Sequence, residues 1–154
     1  MKCLTVLLLA VAAIQGSSAR ILDKCQLAHE LLRQGFPRNQ LENWVCLVLS
    51  ESSGDTSIIG TQNTDGSKDH GLFQISDLFW CTNKGVGGGC KVNCKSLRTD
   101  DISEAAECAH LIFKEHQALK GNGFLAWEGW KKKCQGALPD LSECFDTNRC
   151  NQTM

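Results

Sequence analysis

The sequence predicts an α+β domain, a helical lobe and a small antiparallel β-hairpin lobe with a cleft between them. Helical periodicity sits at the two ends, with Leu27, Ala28, Leu31 and Leu32 sharing one face early, and Ile102, Ala105, Ala106, Ala109, Ile112 and Phe113 sharing one late. Between these ends, Asn63-Thr64-Asp65-Gly66-Ser67 is a polar reversal suited to positive φ and flanked by strand-like runs. Ten cysteines in 154 residues suit a secreted chain that crosslinks itself in an oxidising compartment. This length fits one domain with a real core.

The first nineteen residues stand apart. Lys2, the apolar run Leu4 to Ile14 and the small residues Ser17-Ser18-Ala19 read as a secretory signal peptide, so the mature chain is expected to begin at Arg20 and to be extracellular. That run falls short of the ~20 residues a membrane span needs. A first helix is expected from Asp23 to Gln34, with Lys24, Glu30 and Arg33 mostly on its outer side and Gly35 stopping it. After Phe36-Pro37, Asn39 is expected to cap a second helix through Leu41, Trp44, Val45 and Val48 to about Glu51. Being apolar almost all round, that helix belongs in the core.

Thr56 to Asn63 and Asp69 to Ile75 are expected to form the hairpin arms. The loop that follows is rich in glycine from Gly85 to Gly89, so crosslinks at Cys81, Cys90 and Cys94 must supply its order. Asp101-Ile102-Ser103-Glu104 resembles a capping box with Asp101 as the cap of a long helix closed by Gly121-Asn122-Gly123. A short helix with Trp127 and Trp130 leads to Lys131-Lys132-Lys133-Cys134, read as a solvated face, and a Pro-containing coil carries Cys144 and Cys150.

The formal charge is −1, and losing Lys2 with the signal makes the mature chain one unit more negative. That excludes nucleic acid as a natural partner and speaks against a strongly cationic membrane-disrupting peptide. No repeat, low-complexity tract or second long apolar segment occurs, so no membrane span is expected. Two acids stand out by contrast. Glu51 follows the apolar run Trp44 to Leu49 at the end of a buried helix, where desolvation and the helix dipole both favour the neutral acid. Asp69 follows a polar turn. Two carboxyls with opposed environments are what acid and nucleophile chemistry at one glycosidic bond requires.

With Asn63 to Ser67 followed by Asp69 and Gly71-Leu72-Phe73-Gln74-Ile75, and Asn43-Trp44-Val45-Cys46 ahead of Glu51, the chain resembles the c-type lysozymes, the insect members most of all. The resemblance runs from Arg20 to about Phe145, and eight cysteines, both acids and Ala126-Trp127 occur in the family's order. It implies disulfides joining Cys25 to Cys144, Cys46 to Cys134, Cys81 to Cys94 and Cys90 to Cys108; spacing alone does not choose among the alternatives. It implies Glu51 as general acid with Trp127 as its apolar wall, and Asp69 as nucleophile or electrostatic stabiliser. It implies retention, with the carboxyls about 5–5.5 Å apart, a spacing for which lysozyme is itself the type case.

The implied substrate is the alternating N-acetylmuramic acid and N-acetylglucosamine polymer of bacterial peptidoglycan, with N-acetylglucosamine oligomers as weaker substrates. Phe79 and Trp80 fall where the family stacks sugars, Ser76 and Ala126 where backbone groups bond an N-acetyl group, and Asn63 and Gln74 on the polar side. No cofactor or metal is implied: Asp100 matches one ligand of the lactalbumin calcium loop, but Ala105 and Ala106 stand where that loop supplies carboxylates.

Several positions depart from the family pattern. Phe79 and Ser76 replace a frequent Trp and Asn, His70 replaces a common Tyr and is expected to serve the hairpin's structure, and the stretch from Cys108 to Gly121 is longer. Cys150 has no mate within the extension from Asp146 to Met154, so a monomer is expected, with a disulfide-linked dimer as the alternative; Asn151-Gln152-Thr153 is a glycosylation sequon. The rival function is a non-catalytic sugar-binding member of the superfamily, and such branches typically lose one or both acids. The bacteriolytic role so implied is in defence or digestion; a nearly neutral chain gains little attraction to cell walls at physiological salt, which leans toward digestion with defence as the alternative.

Overall fold

The computed structural model describes residues 20–146. The signal segment, Cys150 and the Asn151 sequon lie outside that range.

Helix α1 spans Lys24–Arg33. Asp23 caps it, with Oδ1 accepting from the N–H groups of Cys25 and Gln26 at 2.9 Å while Asp23 N–H donates to Gln26 Oε1 at 3.1 Å. Leu27, Ala28 and Leu31 are buried as the periodicity requires. Glu30 departs from expectation: it is buried too, held by Arg20, Arg33 and Gln34. Two guanidinium groups and an amide offset the cost of burying that carboxylate.

A 3-10 turn at Arg38–Gln40 precedes α2, Leu41–Ser52, so Asn39 lies within that turn and does not cap the helix. Leu41, Trp44, Val45, Leu47 and Val48 are fully buried. Trp44 is the aromatic hub, in ring contact with Phe36, Phe73, Phe113, Phe124 and Trp127 at centroid distances of 4.6–6.3 Å. Ser53 ends the helix in the left-handed region at φ 54°, with Gly54 continuing the turn, which fixes Glu51 at the helix's last turn.

The reversal at Asn63 forms as expected. Asp65 Oδ1 accepts from Ser67 N–H at 2.9 Å and Ser67 Oγ at 2.6 Å, and Asn63 N–H donates to the Ser67 carbonyl at 2.8 Å. The returning arm is shorter than predicted. Strand β1 is only Asp69–His70; after a tight turn the chain comes back as β2, Ile75–Ser76, antiparallel with Asp69 opposite Ser76 and His70 opposite Ile75. The first arm contributes an isolated bridge, Ile59 to His70. Gly71, at φ 70°, breaks the arm, and Gln74 is also left-handed at φ 47°. His70 is buried within this meander, consistent with a structural role.

Strands β3, Cys81–Thr82, and β4, Val92–Asn93, pair in parallel across the glycine-rich loop. Helix α3 spans Ser103–Lys120 with Ile102 in the cap position, so Asp101 is not its cap and no capping box forms; Asp101 Oδ1 instead accepts from Ser103 N–H at 3.0 Å in a local turn ahead of the helix. A 3-10 segment, Gly123–Ala126, leads to α4, Glu128–Lys133, and another spans Ser142–Cys144. The four disulfides join Cys25 to Cys144, Cys46 to Cys134, Cys81 to Cys94 and Cys90 to Cys108, as the resemblance implied. No helix among the described residues is long and apolar enough to cross a membrane.

A side chain at Gly71 would meet the Leu97 carbonyl as well as the cost of positive φ. Gly71→Ala is therefore expected to destabilise the protein by at least about 2 kcal/mol in denaturant unfolding. An unchanged midpoint would show that the turn rebuilds without strain.

Candidate active site

A cleft of about 460 Å³ runs between the helical lobe and the hairpin. Its lining includes Glu51, Asn63, Asp69, Gln74, Ser76, Phe79, Trp80, Ala126 and Trp127, so every cleft residue expected from the sequence reaches this one surface. Helix α2 delivers Glu51, β1 delivers Asp69, β2 and the residues after it deliver Ser76, Phe79 and Trp80, and the segment entering α4 delivers Ala126 and Trp127. A depression of about 580 Å³ beside α1 is lined by Arg20, Glu30 and Arg33, where Glu30 pairs with both guanidinium groups and Arg20 also pairs with Asp100.

Glu51 sits at the junction of α2 and α4. Gly129 N–H donates to its Oε1 at 2.7 Å. Burial pushes the Glu51 carboxyl above its ordinary value; the Gly129 bond opposes this, the negative charges of Asp69 and Glu128 add to it, and Lys132 lowers it again. Desolvation wins. The apolar wall is Trp127, 4 % exposed, whose indole N–H donates to the Phe73 carbonyl at 2.9 Å and so pins it across to the hairpin lobe.

Asp69 has a wetter seat. It is partly exposed, and Asn63 Nδ2 donates to its Oδ2 at 3.3 Å while also donating to Ser67 Oγ at 3.0 Å. Gln74, its side chain aimed back by positive φ, donates to the Gly71 carbonyl at 2.9 Å and the Ile58 carbonyl at 3.4 Å. Phe79 is 66 % exposed, an open aromatic face at the cleft edge, while Trp80 is half-buried.

The sequence reading passed over Gly129. A side chain there would strike the Glu51 carboxyl, so glycine is what lets the backbone donor approach. Its signal was an isolated glycine between two tryptophan-bearing positions, Trp127 and Trp130. Glu128 and Leu78 also line the cleft and had not been singled out. Among the described residues, Asp100 pairs with Arg20, Asp101 accepts from Ser103, and in the cluster of His70, Cys81 and Cys94 the two sulfurs are joined to each other.

Residues 20–144 match the family model for C-type lysozyme/alpha-lactalbumin. A lysozyme of Bombyx mori is 50% identical over 146 residues, covering 94% of this chain and 100% of the relative, and one of Hyalophora cecropia is 49% identical, covering 90% and 97%. Among solved structures, a lysozyme from Litopenaeus vannamei superposes with a TM-score of 0.73 at 33% identity over 82% of this chain and 98% of that one. A calcium-binding lysozyme from equine milk gives 0.67 at 33% identity, covering 86% and 99%.

A Glu51 carboxyl raised in the folded state binds its proton more tightly there than in the unfolded chain, so stability is highest below the unfolded value of 4.5 and falls as pH rises through the folded one. Glu51→Gln removes that penalty. Its melting temperature is expected to gain on the wild type as pH rises from 4.5 upward; parallel melting curves across pH would contradict the assigned burial.

Proposed function

The chain belongs to the C-type lysozyme/alpha-lactalbumin family, and from that premise we infer that it is a lysozyme hydrolysing β-1,4 bonds of bacterial peptidoglycan, with Glu51 and Asp69 as its working pair. One observation carries the residue assignment: two carboxyls from different lobes line one cleft, one desolvated and the other hydrogen-bonded and partly wet.

Glu51, kept protonated by its surroundings, gives its proton to the leaving glycosidic oxygen. Asp69, as carboxylate, attacks or stabilises the anomeric carbon from the other face, and Glu51 then takes a proton from the incoming water, so configuration is retained. Gly129 N–H aims the Glu51 carboxyl during both steps without neutralising it. Phe79 and Trp80 offer aromatic faces to the apolar faces of sugar rings, while Asn63, Gln74 and the backbone near Ser76 and Ala126 offer donors and acceptors to hydroxyl and N-acetyl groups. The retention of both acids separates this reading from a non-catalytic sugar binder.

We further propose that the protein is secreted and acts as a monomer. Four disulfides suit an oxidising compartment, and the Lys2 to Ala19 leader suits export.

Clearing of a bacterial wall suspension tests the pair directly. Glu51→Gln is expected to lose about 10²-fold or more in turnover, with its near-ultraviolet circular dichroism intact, and Asp69→Asn to fall by a comparable factor. Unchanged clearing by either variant removes that residue from the mechanism. Mass spectrometry of protein exported from a eukaryotic host is expected to give a chain starting at Arg20; a retained leader would refute the cleavage site.

A further inference from the structure

Asp69 lies on a strand of two residues, too short for its own ladder to fix a side chain. Its immediate neighbours are both held by one other residue. Lys68 donates its N–H to Asp77 Oδ1 at 2.9 Å and accepts the Asp77 N–H at its carbonyl at 2.9 Å. His70 is 3 % exposed and places Nε2 3.1 Å from Asp77 Oδ2. Asp77 therefore grips the chain just before and just after Asp69. Asn83 Nδ2 steadies the same Oδ2 at 3.0 Å from the following loop.

The proton positions follow from the donors. Burial pushes the Asp77 carboxyl up, but the Lys68 N–H, His70 and Asn83 together outweigh it and hold the group below the usual carboxylate range. As an ionised acceptor, Oδ2 requires the imidazole proton on Nε2. The other ring nitrogen, Nδ1, is buried without a hydrogen-bond partner among the described residues, and the imidazole lies against the sulfurs of the Cys81–Cys94 disulfide, which offer no comparable acceptor. The ring thus has one directional bond, and Asp77 receives it.

Holding the hairpin folded does not need this pair. The Asn63 to Ser67 reversal, the Gly60 N–H to Asp69 carbonyl bond at 2.9 Å, the Gly71 N–H to Ile58 carbonyl bond at 2.8 Å and the nearby disulfide already do that. Nor do the cleft's sugar-facing polar groups depend on it, since Asn63 is held by Ser67, and Gln74 by Gly71 and Ile58. What is left for the pair is the local path of the backbone through position 69.

We propose that Asp77 and His70 are a positioning pair for Asp69, clamping its two chain neighbours so that its carboxylate is set against the bond that Glu51 protonates. The inference rests on the assignment of Asp69 as the group acting at the anomeric carbon. Because substrate is held elsewhere, loss of the clamp shows in turnover and leaves binding largely alone.

The test is steady-state hydrolysis of a soluble β-1,4-linked N-acetylglucosamine hexamer by the full mature chain. His70→Phe keeps the ring and removes the donor; kcat is expected to fall about tenfold with KM within about twofold. His70→Gln, whose amide N–H can still reach Asp77, is expected to recover most of that loss, and Asp77→Asn to lower kcat without raising KM. Wild-type kcat in both His70→Phe and Asp77→Asn overturns the proposal, as does a KM that rises in proportion, since that marks general loosening of the hairpin. Should His70→Phe not fold, the near-isosteric Asp77→Asn decides by the same split. Asp69→Asn serves as control: turnover retained there refutes the nucleophile assignment itself, whereas an inactive Asp69→Asn beside fully active His70→Phe and Asp77→Asn refutes only the clamp.

Discussion

The constraint on which this molecule turns is the desolvation of one carboxyl, Glu51, at the meeting point of two helices. Everything that sets it there is local and specific. Helix α2 has to stop immediately after it, which Ser53 and Gly54 accomplish in the left-handed region. Helix α4 has to approach closely enough for a backbone N–H to reach Oε1, which only glycine at 129 allows. The Cys46–Cys134 disulfide ties the same two helices together. A buried carboxyl without any donor would be costly, and one with several would ionise readily; a single amide bond leaves the balance with desolvation.

The second requirement is that the hairpin lobe keep its distance from that carboxyl, and the aromatic hub meets it. Trp44, from the same helix as Glu51, packs on Phe73 from the hairpin and on Trp127 beside the cleft, and the Trp127 indole bonds the Phe73 carbonyl. A displacement of the hairpin would have to break that bond and unpack the rings. Rigid packing of this kind is how two short strands carry a reactive group with little help from their own ladder.

Much of this was legible in the sequence because the governing signals were local. Periodicity located the helices, Asp65-Gly66 located the reversal, and the contrast between the surroundings of Glu51 and Asp69 pointed to their chemistry before any contact was known. The errors have physical reasons. Asn39 looked like a cap, but a 3-10 turn intervenes and Leu41 starts the helix. Glu30 looked outward-facing, but Arg33 and Gln34 one turn further along, with Arg20 folding back from before the helix, make its burial tolerable. Asp69 to Ile75 looked like one strand because its residues suit extended structure, whereas Gly71 turns the chain to clear the Leu97 carbonyl, a contact distant in sequence. Gly129 escaped notice for the same reason: the atom it makes room for lies 78 residues away.

The charges lining the cleft extend the argument beyond the pair. Besides Glu51 and Asp69, the lining carries Asp65 and Glu128, and among the described residues it includes no lysine, arginine or histidine. Glu128 pairs with Lys131, and Lys132 acts on Glu51 from outside the lining, so the basic run after Trp130 tempers this field without entering the cleft. Asp65 is spent on Ser67, whose two bonds hold its carboxyl below the usual range and keep it anionic. The proton on Glu51 is favoured by the charges of Asp69 and Glu128, because each negative charge nearby makes a further carboxylate harder to form. Net acidity in the cleft therefore works in the same direction as burial, and the acid form of Glu51 is held by two independent causes.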